Sequence, residues 1–372
     1  MSSNDQLKVV EAAIQNFLGP IVPYLKDGGV SEILINGPND IFVEQKGKLA
    51  RVDAKFQDED SLRAAVNSIA QSIGRRIDFE NPRLDARLPD GSRIAAVIPP
   101  CARNGTCVSI RKFTQSKITF KDYVQMGSIS AEGAQFLDIC MFLGKNVIVS
   151  GGTGSGKTTL LSMLCGRIPK GQRILVIEDS SELNIKYDHV VNFETRMADQ
   201  LGKGEVSMKD LLKSALRLRP DRIIVGEVRA SEAIELINAM NTGHKGCLGT
   251  VHANSPEDAI VRLEALAQSG DAKISEKALK HQIGSAVDII VQVSRYSDGS
   301  RRIGSIAEVR GHNPDGSYNV VPIFDMSRMI RLPDGKLQGQ LQATGEIPSF
   351  MDEIIDNQLP FPVTKFKKPA AA

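Results

Sequence analysis

The stretch VIVSGGTGSGKTTLL, residues 147–161, constrains this chain more than any other. It carries the spacing G-x-x-x-x-G-K-T from Gly151 to Thr158, between a run of strand character and a run of helical character. That context is what a phosphate-binding loop requires, because glycines let successive backbone N–H groups turn toward phosphate oxygens. The positive end of the following helix points at the same anion. Gly151, Gly152, Thr153, Gly154, Ser155, Gly156, Lys157, Thr158 and Thr159 are therefore the expected nucleotide contacts. Lys157 is placed to bridge β- and γ-phosphates and the Thr158 hydroxyl to bind Mg²⁺, which makes ATP and Mg²⁺ the expected cofactors.

A loop of this kind sits on an α/β sheet, and the surrounding chain alternates accordingly. The helical run AEGAQFLDICMFLG precedes NVIVSG, and the strands RILVIED, RIIVGEV and CLGTVHA are separated mainly by helical segments. HVVNFET follows RILVIED without an intervening helix. This pattern predicts an α/β domain over residues 129–310. Upstream, residues 20–115 read as a small α+β domain. It contains the strand SEILING and a hairpin in DIFVEQKGKLARVDAKF that turns at Lys46-Gly47. DEDSLRAAVNSIAQSIG follows as a helix capped by Asp58 or Ser61, then LDARLPDGSRIAAVIPP as a second hairpin and TCVSIRKF as a strand. Apolar residues at 7, 10, 14, 17 and 18 predict a short N-terminal helix over 1–19, ended by Gly19-Pro20. Residues 116–128 are the expected hinge, and 311–372 a C-terminal β extension with a disordered tail at KFKKPAAA.

Charge narrows the partners. With 46 Lys and Arg against 44 Asp and Glu, the net charge of +2 gives no global reason to expect nucleic acid. The basic run KSALRLRPDR reads as a solvated helix face. Five scattered cysteines contain no CxxC pair and no zinc spacing, which suits a reducing cytoplasm. The N-terminus lacks a signal-peptide core, and no apolar run approaches the roughly 18 residues of a membrane span. Any membrane role is expected to be peripheral, through a partner.

Hydrolysis also needs a carboxylate near the metal and a group that orients water. RILVIEDS places Glu178 and Asp179 at a strand end, and RIIVGEVR places Glu227 at another. Glu178 is the expected base and Glu227 the metal-side carboxylate, although the two roles could be exchanged; Asp179 reads as structural. Two of the five histidines flank CLGTV. His252, at its end, reads as a sensor of the γ-phosphate, and His244 as nucleotide-linked or structural.

Together GGTGSGKTTLL, VIEDSSEL, LRLRPDRIIVGEVRASEAIELINAMNTGHKG and GTVHANSPEDAIVRLEAL resemble the Walker A, Asp, Walker B and His boxes of the secretion-superfamily ATPases. VSEILINGPNDIFVEQKGKL, IGRRIDFENPRLDARLPDGSR and VSIRKF resemble the CpaF-like branch that drives Tad/Flp pili. The resemblance implies a RecA-like ATPase domain preceded by a PAS-like domain, a cytoplasmic hexameric ring, and docking on inner-membrane platform proteins. It also implies that Arg93 and Arg111, with Arg87 as a weaker candidate, reach the γ-phosphate from the N-terminal domain. The four-cysteine zinc motif of many assembly ATPases is absent. A conjugation-type secretion ATPase, a RecA-like DNA translocase and a non-hydrolysing scaffold are the competing readings.

Overall fold

The computed structural model describes residues 18–45, 47–88, 90–112, 118–198, 202–270 and 274–369. The expected N-terminal helix up to residue 17, and Lys46 of the expected turn, lie outside them. The chain divides into two compact units between residues 116 and 117.

The first unit is a six-stranded antiparallel sheet with one long helix. Its strands are β1 (Val30–Asn36), β2 (Ile41–Gln45), β3 (Lys48–Arg51), β4 (Arg83–Arg87), β5 (Arg93–Val97) and β6 (Cys107–Arg111), in the spatial order β3-β2-β1-β6-β5-β4. The helix Glu59–Ser72 buries Leu62, Ala65, Val66, Ile69 and Ala70, spaced at three and four residues so that they share one face. Asp58 and Ser61 both act at its start: Ser61 N–H donates to Asp58 Oδ1 at 2.8 Å, and Asp58 N–H donates to Ser61 Oγ at 3.0 Å.

The second unit is built on a nine-stranded mixed sheet. Its strands are β7 (Val147–Gly151), β8 (Ile174–Glu178), β9 (Val190–Glu194), β10 (Arg222–Val225), β11 (Leu248–Val251), β12 (Ile289–Arg295), β13 (Arg301–His312), β14 (Tyr318–Met326) and β17 (Leu341–Ala343). A small ribbon, β15 (Ile330–Arg331) and β16 (Leu337–Gln338), lies between β14 and β17 in sequence. The spatial order is β17-β14-β13-β12-β7-β11-β10-β8-β9, parallel from β12 to β9 and antiparallel from β12 to β17. Alternate residues of the central strands enter opposite cores. Val147, Val149, Ile174 and Val176 pack with the helices Ala131–Leu143 and Lys157–Cys165, whereas Ile148, Leu175 and Ile177 pack with the helices Met208–Ala215, Glu232–Asn241, Pro256–Gln268 and Glu276–Ala286. Burial on both faces explains why these strands read as continuous apolar runs. No helix among the described residues is long and apolar enough to cross a membrane.

Three expectations change. The boundary expected at residue 310 falls inside β13, which joins the antiparallel strands to the parallel ones without a break. Part of the expected hinge is the helix Phe120–Gln125, capped by Thr119, whose Tyr123 is buried in the second unit's core. The expected disordered tail is ordered through Phe366, while residues 370–372 lie outside the described residues. The reason is aromatic packing: Phe366 is 1% exposed, with its ring 5.7 Å from Phe136 and 5.0 Å from Phe361. The neighbouring basic residues stay outside this cluster, Lys365 lying 3.2 Å from Glu132. Phe366→Ala should cost about 3–5 kcal/mol and lower the Tm by roughly 10 °C in calorimetry. An unchanged Tm would show that the segment is not docked.

Candidate functional site

The parallel pairing brings the carboxyl ends of β7, β11, β10 and β8 to one edge of the sheet, in that order. Ligands of α/β sheets bind at such an edge. The phosphate loop leaves β7 at Gly151, where an added Cβ would lie 2.3 Å from the Val293 carbonyl oxygen. Only glycine fits that approach. Gly154 and Gly156, at φ +68° and +100°, take left-handed conformations that turn the loop. The helix Lys157–Cys165 begins at Gly156 with no side-chain cap, whereas Ser130, Ser207, Ser255 and Ser275 cap their helices through hydroxyl groups. Its first turn therefore presents backbone N–H donors to an anion. Thr158 and Thr159 are half-buried in that turn, and the Ser155 hydroxyl is buried without a hydrogen-bond partner.

Lys157 is 7% exposed and donates to the carbonyls of Gly151 at 3.0 Å and Gly152 at 3.2 Å. Burial lowers its pKa, opposed by the charge of Glu227. Its Nζ also lies 3.4 Å from both ring nitrogens of His252, which follows β11. Burial, Lys157 and Arg229 together outweigh Glu227 and lower the His252 pKa, so the ring favours its neutral form. His252 Nε2 is 2.5 Å from Glu227 Oε1, yet that buried oxygen makes no well-aligned hydrogen bond. The other oxygen, Oε2, accepts from Arg229 Nη2. Burial would raise the Glu227 pKa, but Arg229, His252 and Lys157 overcome it and hold the carboxylate below its ordinary range.

Glu178, at the end of β8, is 3% exposed. Its Oε1 accepts from the backbone N–H groups of Glu182 at 2.9 Å and Leu183 at 3.0 Å. Burial nevertheless pushes its pKa up, helped by the charges of Glu182 and Glu194. Gly226, just before Glu227, makes room for it: a Cβ there would meet Glu178 Cγ at 2.8 Å.

His244 does not join this group. It lies before β11, at the opposite edge of the sheet, where Cys247 N–H donates to Asn146 Oδ1 at 2.9 Å at the start of β7. Its backbone oxygen accepts from Cys247 Sγ at 3.1 Å, and its Nδ1 is buried without a hydrogen-bond partner. Parallel pairing explains the separation, since residues before and after a strand fall at opposite edges. In the first unit, Arg87 pairs directly with Arg93, Arg93 with Arg111, and Arg111 with Glu32. Directly paired residues share a face, so three arginines form a row across adjacent strands, an arrangement that costs stability unless anions answer it.

The sequence reading missed three side chains. Arg229 also approaches Asp179, with Nη1 3.5 Å from Oδ2. Gln292 accepts from Ser150 Oγ at 2.5 Å and donates to the Ala253 carbonyl at 3.3 Å, tying β12 to β7 and to the turn after His252. Arg301 Nε donates to the Gly154 carbonyl at 2.9 Å. A lone amide inside the apolar run DIIVQVSR was the available signal for Gln292, and the two-residue spacing in GEVR the signal for Arg229.

No cluster of three His, Cys, Asp or Glu residues among the described residues could hold a metal alone. Mg²⁺ arriving with nucleotide phosphates needs only one or two protein oxygens. Thr158 and Glu227 supply donors of that kind, and the unsatisfied Glu227 Oε1 fits such a role.

The model of the Type II/IV secretion system protein family matches residues 15–316. The conjugal transfer protein TrbB of Rhizobium radiobacter is 34% identical over 292 residues, covering 77% of this chain and 86% of its own. The type IV secretion system protein VirB11 of Brucella suis is 31% identical over 327 residues, covering 80% and 91%. Among solved structures, the pilus retraction motor PilT with bound ADP shares the fold, with a TM-score of 0.56 at 21% identity, covering 91% of this chain and 86% of that one.

The raised Glu178 pKa has a consequence for stability. A carboxyl whose folded-state pKa exceeds its unfolded value stabilises the fold below the unfolded pKa and loses that contribution as pH rises through the folded one. Glu178→Gln keeps an acceptor for both backbone N–H groups. It should therefore melt above wild type near about pH 8 and converge with it in the ordinary carboxylate range. Melting below wild type at the higher pH would contradict the buried-charge account.

Proposed function

The chain belongs to the Type II/IV secretion system protein family, and on that premise we propose that it is the ATP-hydrolysing motor of a Tad/Flp-type pilus, working as a cytoplasmic hexameric ring. Membership of the family makes it a secretion or pilus ATPase of the type IV kind. The observation that carries the mechanism is the row of Lys157, His252 and Glu227 along one sheet edge beside the uncapped helix, with Glu178 two strands beyond β11.

In this reading the loop N–H groups and Lys157 take the phosphates, Lys157 exchanging loop carbonyls for phosphate oxygens. Thr158 and Glu227 would hold Mg²⁺, which would supply positive charge beside the phosphates. Glu178 orients the attacking water and accepts its proton, favoured by its raised pKa. His252 donates to the γ-phosphate and loses that partner after hydrolysis. Arg93 and Arg111, with Arg87 beside them, complete the site from the N-terminal unit of the same or a neighbouring chain. Closed rings are the usual solution for such head-to-tail contacts, and the ring docks on inner-membrane platform proteins to assemble, and in some settings retract, the filament.

The segments VSEILINGPNDIFVEQKGKL and IGRRIDFENPRLDARLPDGSR support the pilus branch. A second reading, a motor for conjugation or type IV secretion, is favoured by the likeness to TrbB and VirB11. Lys157→Ala in the source cell separates them. Loss of surface pili with DNA transfer intact supports the pilus motor, and the reverse outcome supports conjugation. In purified protein Lys157→Ala should abolish hydrolysis. Arg111→Ala should spare ATP binding but slow turnover by roughly 10³-fold in a phosphate-release assay. Wild-type turnover in that variant would remove Arg111 from the site.

A further inference from the structure

We propose that Arg229 is the positioning residue for the metal-side carboxylate: braced on Asp179, it fixes Glu227 so that Oε1 faces the phosphate loop. The inference rests on the nucleotide reading above and adds a residue that neither the loop motif nor the two carboxylates announces.

Both ends of this strut are secured. At one end, the Arg229 and Ala230 N–H groups donate to Glu232 Oε1 at 2.6 and 2.9 Å, and Glu232 is itself 7% exposed. The turn that carries Arg229 is thus fixed by a buried carboxylate. At the other end, Nη2 grips Glu227 Oε2 while Nη1 lies 3.5 Å from Asp179 Oδ2. Asp179 is held in turn by the Thr195 hydroxyl, 3.3 Å from its backbone oxygen and 3.4 Å from Oδ1.

The consequence falls on the second oxygen. A glutamate on a flexible stem has no preferred direction for its second oxygen until the first is tied. Here Oε2 is tied to Arg229, and Oε1 is the buried atom that lies 2.5 Å from His252 Nε2, which is itself 3.4 Å from the Nζ of the loop's Lys157. Arg229 also links the segment after β10 to Asp179, just past the end of β8 and next to Glu178, across two strands already paired by their backbones. A planar guanidinium can meet both carboxylates at once, which a lysine ammonium does less well.

The test uses the full chain with adenylyl imidodiphosphate and follows free Mn²⁺ by electron paramagnetic resonance. Arg229→Gln should weaken Mn²⁺ binding roughly 10–100-fold, leaving analogue affinity in chelator at the wild-type value. Glu227→Gln should weaken it too, and the double variant should be no weaker than Glu227→Gln alone, because Arg229 acts through that carboxylate. Asp179→Asn, on the far side of the brace, should give a smaller loss in the same direction and serves if Arg229→Gln does not fold. Unchanged Mn²⁺ affinity in these variants, or additive losses in the double variant, would overturn the assignment. Failure of the wild type to bind the analogue at all would overturn the nucleotide reading itself, and this inference with it.

Discussion

Parallel pairing of β12, β7, β11, β10 and β8 is the constraint on which the rest of the molecule depends. Because these strands run in one direction, whatever follows each of them emerges at one edge. The phosphate loop, Glu178, Glu227 and His252 are spread along the chain from residue 151 to residue 252 and still emerge at that edge. The same pairing forces the return helices onto both faces, and double burial demands apolar strands. Polar residues inside those strands are consequently few and paired, as Ser150 and Gln292 are with each other.

The edge concentrates charge that must be answered locally. Lys157 is buried, Glu227 is partly buried, and each shifts the other's ionisation in the expected sense. His252 lies between them, pulled one way by the carboxylate and the other by the ammonium. A network of this kind costs desolvation and returns it only while its partners stay in place. Arriving phosphates and metal are charges of the opposite sense to Lys157 and Glu227, so they can replace these internal partners rather than add to them.

Much of this was legible in the sequence. The loop motif, the strand ends carrying Glu178 and Glu227, and the alternation of apolar runs each have a local signature, and the strands formed where those signatures lie. What was not legible depends on tertiary contacts. Phe361 and Phe366 look like isolated aromatics in a basic tail until the helix Ala131–Leu143 offers Phe136 as a partner. His244 shares a box with His252, but sequence proximity says nothing about which edge of a strand a residue occupies. Arg229 and Gln292 acquire meaning only from residues on other strands, since Asp179 and Ser150 are distant in sequence.

The two carboxylates were interchangeable on sequence grounds, and their surroundings separate them. Glu178 is deeply buried with its charge opposed by Glu182 and Glu194, so its pKa rises. Glu227 has Arg229, His252 and Lys157 around it, so its pKa falls despite burial. Environments that push two acids apart assign them different tasks. A group that prefers to hold a proton suits taking one from water, whereas a group that stays ionised suits a divalent cation. In the proposed mechanism these surroundings suit Glu178 to the base and Glu227 to the metal side. The arrangement also explains why Gly226 precedes Glu227: a side chain there would collide with the Glu178 stem and force the two acids apart.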